Sequence, residues 1–321
     1  MTKKIHSKLV LLGTGGTIAG TAAAAGDNIG YRAAQLGVDA LIAAVPGAAQ
    51  ALGGSTLVTE QVAQVDSKDM SFAVWQRLAA RAAHWLAQPD LQGIVITHGT
   101  DTLEETAYFL QRVLRPAKPV VLACAMRPAT AIAPDGPQNL LDALAVALHP
   151  GARGVVAVCA GTIHGALDVQ KAHTYRLDAF GSGDAGPIGY VEEGALRLLR
   201  NWPQAQDSSS PIAIEKIVNA KDWPRVDIVL NYAGADGAVV EALLARGVEG
   251  LVVAGTGNGT LHHDLEAALL AAQRQGVRVL RASRCAMGRV LGQSGDDIPD
   301  SRGLSAVKAR VELLLELLQA R

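Results

Sequence analysis

The sequence predicts an α/β protein whose mostly parallel sheets are flanked by helices, and two observations carry that prediction. Short apolar runs rich in β-branched residues, such as Lys8-Leu9-Val10-Leu11-Leu12 and Gly93-Ile94-Val95-Ile96, end abruptly on glycine turns. Strands buried on both faces read this way. Segments of helical periodicity lie between the runs, and such alternation places helices on both faces of a parallel sheet. With 49% apolar and only 18% charged residues, the 321-residue chain can bury a sizeable core. Its 34 glycines and few aromatics suit tight strand–turn–helix units.

In chain order the predicted strands are Leu9–Leu12, Thr56–Val58, Gly93–Thr97, Pro119–Ala123, Gly154–Cys159, Val226–Leu230, Gly250–Ala254 and Val277–Leu280. Leu103, Ala107, Leu110 and Leu114 follow the 4-3-4 spacing of one buried helix face. Pro137 opens a second helix from its first turn. Leu261, Leu265, Ala268 and Ala272 mark a third, and Val311, Leu314, Leu315 and Leu318 close the chain. Between Asn201 and Pro211 the pattern gives way to a polar, breaker-rich stretch. The expected organisation is therefore an N-terminal domain over 1–200, a linker over 201–212 and a C-terminal domain over 213–321.

The 29 basic residues nearly balance the 30 acidic ones and form no run, so neither nucleic acid nor a membrane surface is an expected partner. The N-terminus enters the first strand without the apolar stretch of a signal peptide, and no run reaches membrane-spanning length. The expected location is cytoplasmic. Cys124, Cys159 and Cys285 match neither a disulfide framework nor a metal spacing, and two of them end apolar runs, as buried free thiols do. His84, His149 and His164 lack ligand spacing, while the adjacent His262 and His263 are expected on different helix faces. No metal and no cofactor is predicted.

Two glycine turns carry threonines at strand ends, where open α/β sheets place ligands. The first is Gly13-Thr14-Gly15-Gly16-Thr17-Ile18-Ala19-Gly20. It fails as a dinucleotide fingerprint because Ile18 occupies the last glycine position, and as a phosphate loop because Thr21 replaces the lysine. A threonine turn bonded only to its own backbone is the plain alternative. Ala22–Ala25 and the glycines at 20, 26 and 30 then predict a mobile segment that ends at Tyr31 and closes over a site.

The second turn is Thr97-His98-Gly99-Thr100-Asp101-Thr102. Thr102-Leu103-Glu104-Glu105 reads as a capping box, which sets Thr100 and Asp101 just outside a helix N-terminus that favours negative charge. A threonine hydroxyl needs a base before it attacks anything. Lys171, the only lysine between Lys118 and Lys216, suits that task if desolvated beside a carboxylate. A lysine simply exposed at the surface is the alternative.

Together these segments closely resemble the two signature motifs of bacterial-type L-asparaginases. The resemblance continues through Ala125-Met126-Arg127-Pro128, Asp135-Gly136-Pro137-Gln138-Asn139-Leu140, Asp168-Val169-Gln170-Lys171 and Arg281-Ala282-Ser283-Arg284, and so spans essentially the whole chain. It is closer to the high-affinity type II branch than to type I. It implies a two-domain asparaginase-like fold, a homotetramer built as a dimer of intimate dimers, no cofactor, and a small-molecule amide, L-asparagine, as substrate. Thr17 is implied as nucleophile with Tyr31 assisting, and Thr100, Asp101 and Lys171 as the second catalytic group. Ser67 is implied for the substrate carboxylate and Asp101 for its ammonium. Backbone around Thr100 and Ala125 would hold the oxyanion, and Gly16, Asp66, Lys68 and Gly99 complete the expected substrate-binding set.

Three positions depart from the family pattern. Lys68 stands where Gln is common, Gly234 where Asn or Ser is common, and no Glu occurs between Arg281 and Arg310 to match one that the family supplies from a neighbouring subunit. Asp296 or Asp297 is a candidate replacement for it. These departures predict that ammonium recognition rests mainly on Asp101, with weaker affinity or broader tolerance. Alternatives of activity are an amidase for L-glutamine, D-asparagine or succinamate, and a non-catalytic amino-acid-binding protein. The amidase subunit of a tRNA-dependent amidotransferase shares the motifs but carries an additional N-terminal segment.

Overall fold

The computed structural model of the chain describes residues 7–203, 212–292 and 297–321. It divides into two compact units, Met1–Ile214 and Glu215–Arg321. Residues 204–211 of the expected linker lie outside the described residues, as does Asp296.

The first unit is built on strands β1 (Lys8–Gly15), β2 (Thr56–Val65), β3 (Leu91–Thr97), β4 (Pro119–Ala123), β5 (Gly154–Cys159) and β6 (Thr162–Gly165). A short pair, β7 (Gln170–Lys171) and β8 (Phe180–Gly181), precedes β9 (Gly189–Glu192) and β10 (Ala195–Leu198). Eight of these form one sheet in the order β10-β9-β6-β5-β4-β3-β1-β2. From β2 to β5 the pairing is parallel, and the remaining strands join antiparallel. Its helices are α1 (Val38–Ala43), α2 (Ala48–Ala51), α3 (Phe72–Leu86), α4 (Leu103–Leu114) and α5 (Gly136–Leu148).

Central β1 explains the unbroken apolar run: Leu9, Val10, Leu11 and Leu12 are all fully buried. Alternate residues serve opposite faces. Leu9 and Leu11 join Val95, Val121, Leu140 and Leu144 in one core cluster beneath α5. Truncating one such side chain, Leu144→Ala, is worth about 2–5 kcal/mol. Strand β2 is longer than its apolar start at Thr56–Val58 suggests. It is an edge strand, and its polar residues have partners off the sheet: Glu60 accepts from Arg81 and Trp85 of α3, and Gln61 Oε1 accepts the Val38 N–H at the start of α1.

After α6 (Ile214–Val218), the second unit holds β11 (Val226–Leu230), β12 (Gly250–Gly255) and β13 (Arg278–Ser283), all parallel and in that order. Helices α7 (Ala238–Ala245), α8 (His263–Arg274) and α9 (Ala306–Ala320) cover this sheet. Val240, Leu251, Val253, Leu265, Leu269 and Ala272 meet in its core. Both units thus carry mostly parallel sheets flanked by helices. Cys124 and Cys159 are free and buried, whereas Cys285 is free and exposed. No described helix is long and apolar enough to cross a membrane.

Candidate active site

Strand β1 ends in a backbone turn that only glycine adopts readily. Gly15 and Gly16 have φ of 104° and 84°, a region that costs a side chain strain. A side chain at Gly16 would also overlap the backbone of Gly99. The turn delivers Thr17 to a buried single turn of 3-10 helix, Thr17–Ala19. Thr17 Oγ1 lies 2.7 Å from Tyr31 Oη. Thr14 has a different job, since its hydroxyl donates to the Thr97 carbonyl at 2.7 Å and ties β1 to the second turn.

Tyr31 is placed by the segment that the glycines and alanines predict. Thr21 and Arg32 exchange backbone hydrogen bonds of 2.9 Å, closing the segment at its base. Within it, the Asp27 carboxylate accepts the N–H groups of Gly30 and Ile29 at 2.7 and 3.0 Å. Those two donors, Gly30 first, hold the Asp27 carboxyl below its ordinary range.

The second turn follows β3, whose Thr97 pairs beside Gly13 of β1. The backbones of Gly16 and Gly99 lie against each other, so Thr17 and Thr100, the next residues in each segment, start from neighbouring positions. Lys171 Nζ donates to Thr100 Oγ1 at 2.8 Å and to Asp101 Oδ1 at 2.6 Å. The Lys171 side chain is only 19% exposed, which settles against a surface lysine. Asp101 is half exposed, so it has capacity left for a second cation.

Ser67 sits just beyond β2 and links to this turn twice. Its buried hydroxyl accepts the Asp101 N–H at 3.1 Å, and its carbonyl accepts the Thr102 hydroxyl at 2.8 Å. The second contact corrects the expected capping box. Thr102 is the N-cap residue of α4, but its side chain makes no capping bond because it is spent on Ser67. Lys68 turns onto its own loop, with Nζ 2.9 Å from both Asp66 Oδ2 and Asp69 Oδ2. Those carboxylates, Asp66 first, raise its pKa above the ordinary ammonium range.

Ala125 follows β4 in a loop fixed by residues whose roles the sequence did not disclose. Asp135 accepts the Met126 and Arg127 N–H groups at 2.9 Å each. Asn139 donates to the Cys124 carbonyl at 2.9 Å and accepts the Ala160 N–H at 3.0 Å, joining the ends of β4 and β5. The signal for both was their place within Asp135-Gly136-Pro137-Gln138-Asn139, where helix start and strand end meet.

His98 is fully buried, and its Nδ1 lies 2.7 Å from the Gly99 carbonyl. Burial pushes its pKa down from 6.5 to about 4, against the opposing effect of that hydrogen bond. The unfolded chain therefore binds more protons than the folded one between about pH 4 and 6.5. Stability is complete above this window and is lost as pH falls through it. Urea unfolding at pH 7 and pH 4.5 should show the wild type losing roughly 2 kcal/mol more than His98→Asn, which has no titrating ring. Equal losses would contradict the assignment.

The expectation for His262 and His263 needs correction. His262 is the N-cap of α8 rather than part of it, its ring stacks on His263 at 4.4 Å, and Asp264 lies beside both. The group is largely exposed, His262 Nδ1 accepts the Asp264 N–H at 3.3 Å, and a helix N-terminus repels cations. In the second unit, Gly234 has φ of 76° and open space where a side chain would stand. Asp297 is exposed.

Comparison with known proteins finds relatives along nearly the whole chain. Residues 8–204 match the family model described as asparaginase, N-terminal, and residues 225–321 match the glutaminase/asparaginase C-terminal domain. The chain is 37% identical over 320 residues to L-asparaginase 2 of Escherichia coli (strain K12), covering 98% of this chain and 89% of that protein. It is 36% identical to a glutaminase-asparaginase of Pseudomonas fluorescens biotype A, covering 98% and 88%. A solved structure described as a probable cytoplasmic L-asparaginase from Campylobacter jejuni superposes with a TM-score of 0.90 at 38% identity, covering 97% of this chain and 95% of that one. With both domains matched and relatives this similar over nearly their full length, the chain belongs to the asparaginase family of enzymes.

Proposed function

We propose that this chain hydrolyses the side-chain amide of L-asparagine to L-aspartate and ammonia by threonine nucleophilic catalysis. One observation carries the reading: the Gly16–Gly99 backbone contact brings together two differently equipped hydroxyls, Thr17 on Tyr31 and Thr100 on Lys171 and Asp101. A protein that only bound an amino acid would need neither hydroxyl activated.

In the first step Thr17 Oγ1 attacks the amide carbon. The hydroxyl proton passes to Tyr31 Oη, and the phenol returns a proton to the departing nitrogen. The C–O bond forms, the C–N bond breaks and ammonia leaves. In the second step a water molecule attacks the ester carbon and gives its proton to the Thr100–Lys171–Asp101 chain. As the bond between the carbonyl carbon and Thr17 Oγ1 breaks, that chain hands a proton back, through the Tyr31 phenol, to Thr17 Oγ1, which leaves as a restored hydroxyl. Backbone N–H groups of Thr100 and Ala125 hold the charge on the carbonyl oxygen in both steps. The Ser67 hydroxyl already accepts the Asp101 N–H, so its hydrogen is free for the substrate α-carboxylate. Gly16, Gly99 and the Asp66–Lys68 turn shape the surrounding pocket, and Asp101 receives the α-ammonium. Ammonia release from L-asparagine and L-glutamine tests the reading, and absence of release from L-asparagine would refute it.

The departures around the ammonium refine the substrate range. Because Asp66 and Asp69 already balance Lys68, and that side chain is 61% exposed, its charge is not what weakens ammonium binding. The weakening instead follows from acceptors the family has and this chain lacks. We expect measurable turnover of D-asparagine and succinamic acid beside L-asparagine, and Lys68→Gln should change KM by less than about threefold. Exclusive use of L-asparagine at micromolar KM would sink this expectation. The resemblance further supports a homotetramer, and the similar structure described as a probable cytoplasmic L-asparaginase supports a cytoplasmic location; light scattering and cell fractionation would test the two.

A further inference from the structure

We propose that His98 is a positioning residue that locks the Gly99–Thr100 peptide so that the Thr100 N–H points at the substrate oxyanion. The inference rests on the amidase reading above but adds a residue that the reading does not use. Nδ1 of His98 faces a carbonyl oxygen 2.7 Å away, so this nitrogen must carry the hydrogen and donate it. A planar trans peptide holds its C=O and N–H in opposite directions. With the Gly99 carbonyl drawn toward the buried imidazole, the Thr100 N–H is turned away from it. Among the described residues that N–H has no hydrogen-bond acceptor, whereas the next one, Asp101 N–H, is taken by Ser67.

Among the described residues, the hydrogen bond from His98 Nδ1 is the one that acts on the Gly99 carbonyl itself; the neighbouring contacts hold the residues on either side. The His98 N–H donates to the Ala123 carbonyl at 2.9 Å, which holds the residue before it. A Cβ at Gly99 would come within 2.8 Å of Ser67 Cβ and 3.1 Å of Gly16 Cα, so glycine is required sterically. A glycine peptide rotates easily, and the imidazole restrains it. For stability alone, histidine is a poor choice in this position. It is fully buried, its Nε2 has no hydrogen-bond partner among the described residues, and burial keeps it neutral. An apolar side chain of similar size would leave no such unmet acceptor. The donor at Nδ1 is what histidine adds.

Steady-state ammonia release from L-asparagine by wild type, His98→Leu, His98→Asn and Thr17→Ala tests the proposal. His98→Leu removes the donor, and kcat should fall by about 10- to 100-fold with KM changed less than about threefold, since the oxyanion forms only along the reaction. His98→Asn places an amide N–H near Nδ1 and should recover kcat to within about fivefold of wild type. In parallel, 15N spectra of histidine-labelled wild type should show His98 as the neutral Nδ1–H tautomer, a result that needs no variant to fold. Wild-type kcat in a folded His98→Leu, no recovery in His98→Asn, or an Nε2–H tautomer each overturns the proposal. If Thr17→Ala is inactive while His98→Leu is not impaired, only this inference falls. If wild type releases no ammonia, the amidase reading falls with it.

Discussion

Thr17→Ala should lower kcat for ammonia release by about 10⁴-fold, equivalent to about 5.5 kcal/mol of lost transition-state stabilisation. The substitution removes the oxygen to which the proposed mechanism gives the covalent bond, and the neighbouring threonine hydroxyls are engaged elsewhere. Thr14 has its hydroxyl committed to the Thr97 carbonyl, and Thr100 is committed to Lys171. KM should change little, because the proposed mechanism assigns the substrate's other end to Ser67 and Asp101. The folded state should be nearly as stable, since Thr17 gives up one hydrogen bond, to Tyr31, worth about 1 kcal/mol. Thr17→Ser keeps the oxygen and should retain most of the rate. A coupled ammonia assay decides the matter, and a Thr17→Ala rate within tenfold of wild type would remove this threonine from the chemistry.

Lys171→Met should cost about 10²- to 10³-fold in kcat, with Thr100→Ala similar. Lys171 bridges the Thr100 hydroxyl and the Asp101 carboxylate, and it is held in a largely desolvated position. Methionine preserves much of its length and volume but cannot exchange protons. The two substitutions disable one chain of proton transfer, so their effects should not add. The double variant Thr100→Ala/Lys171→Met should be within about threefold of the worse single variant. Multiplied losses would mean that the two residues act independently. Lys171→Met should also raise KM, because Asp101 loses the cation that fixes its carboxylate.

The strand ends were legible from sequence wherever an apolar run stopped at glycine, and hence so were the places of Thr17 and Thr100. β1, β3, β4 and β5 are central, buried on both faces, and their composition shows it. β2 was only partly legible because an edge strand satisfies Glu60 and Gln61 off the sheet, and those polar residues end the apolar pattern early. Thr102 misled for a related reason. A capping motif is local, but the competing acceptor, the Ser67 carbonyl, lies 35 residues away in sequence. Lys171 needed the fold as well, since nothing near it in the chain shows that Thr100 and Asp101 are its partners. His98, Asp135 and Asn139 act on backbone carbonyls and N–H groups, and backbone contacts leave no signature in residue type. The contrary case is Lys68, whose charge looked influential from sequence until the carboxylates of its own turn were found around it.

The most direct test of Thr17 as nucleophile is to quench Thr100→Ala in acid during turnover of L-asparagine and locate any adduct by peptide mass spectrometry. With the water-activating chain disabled, the ester formed in the first step should accumulate, and the aspartyl group should be found on the peptide containing Thr17. An aspartyl group on a different residue, or an unmodified enzyme that has already released a stoichiometric burst of ammonia, would contradict the account.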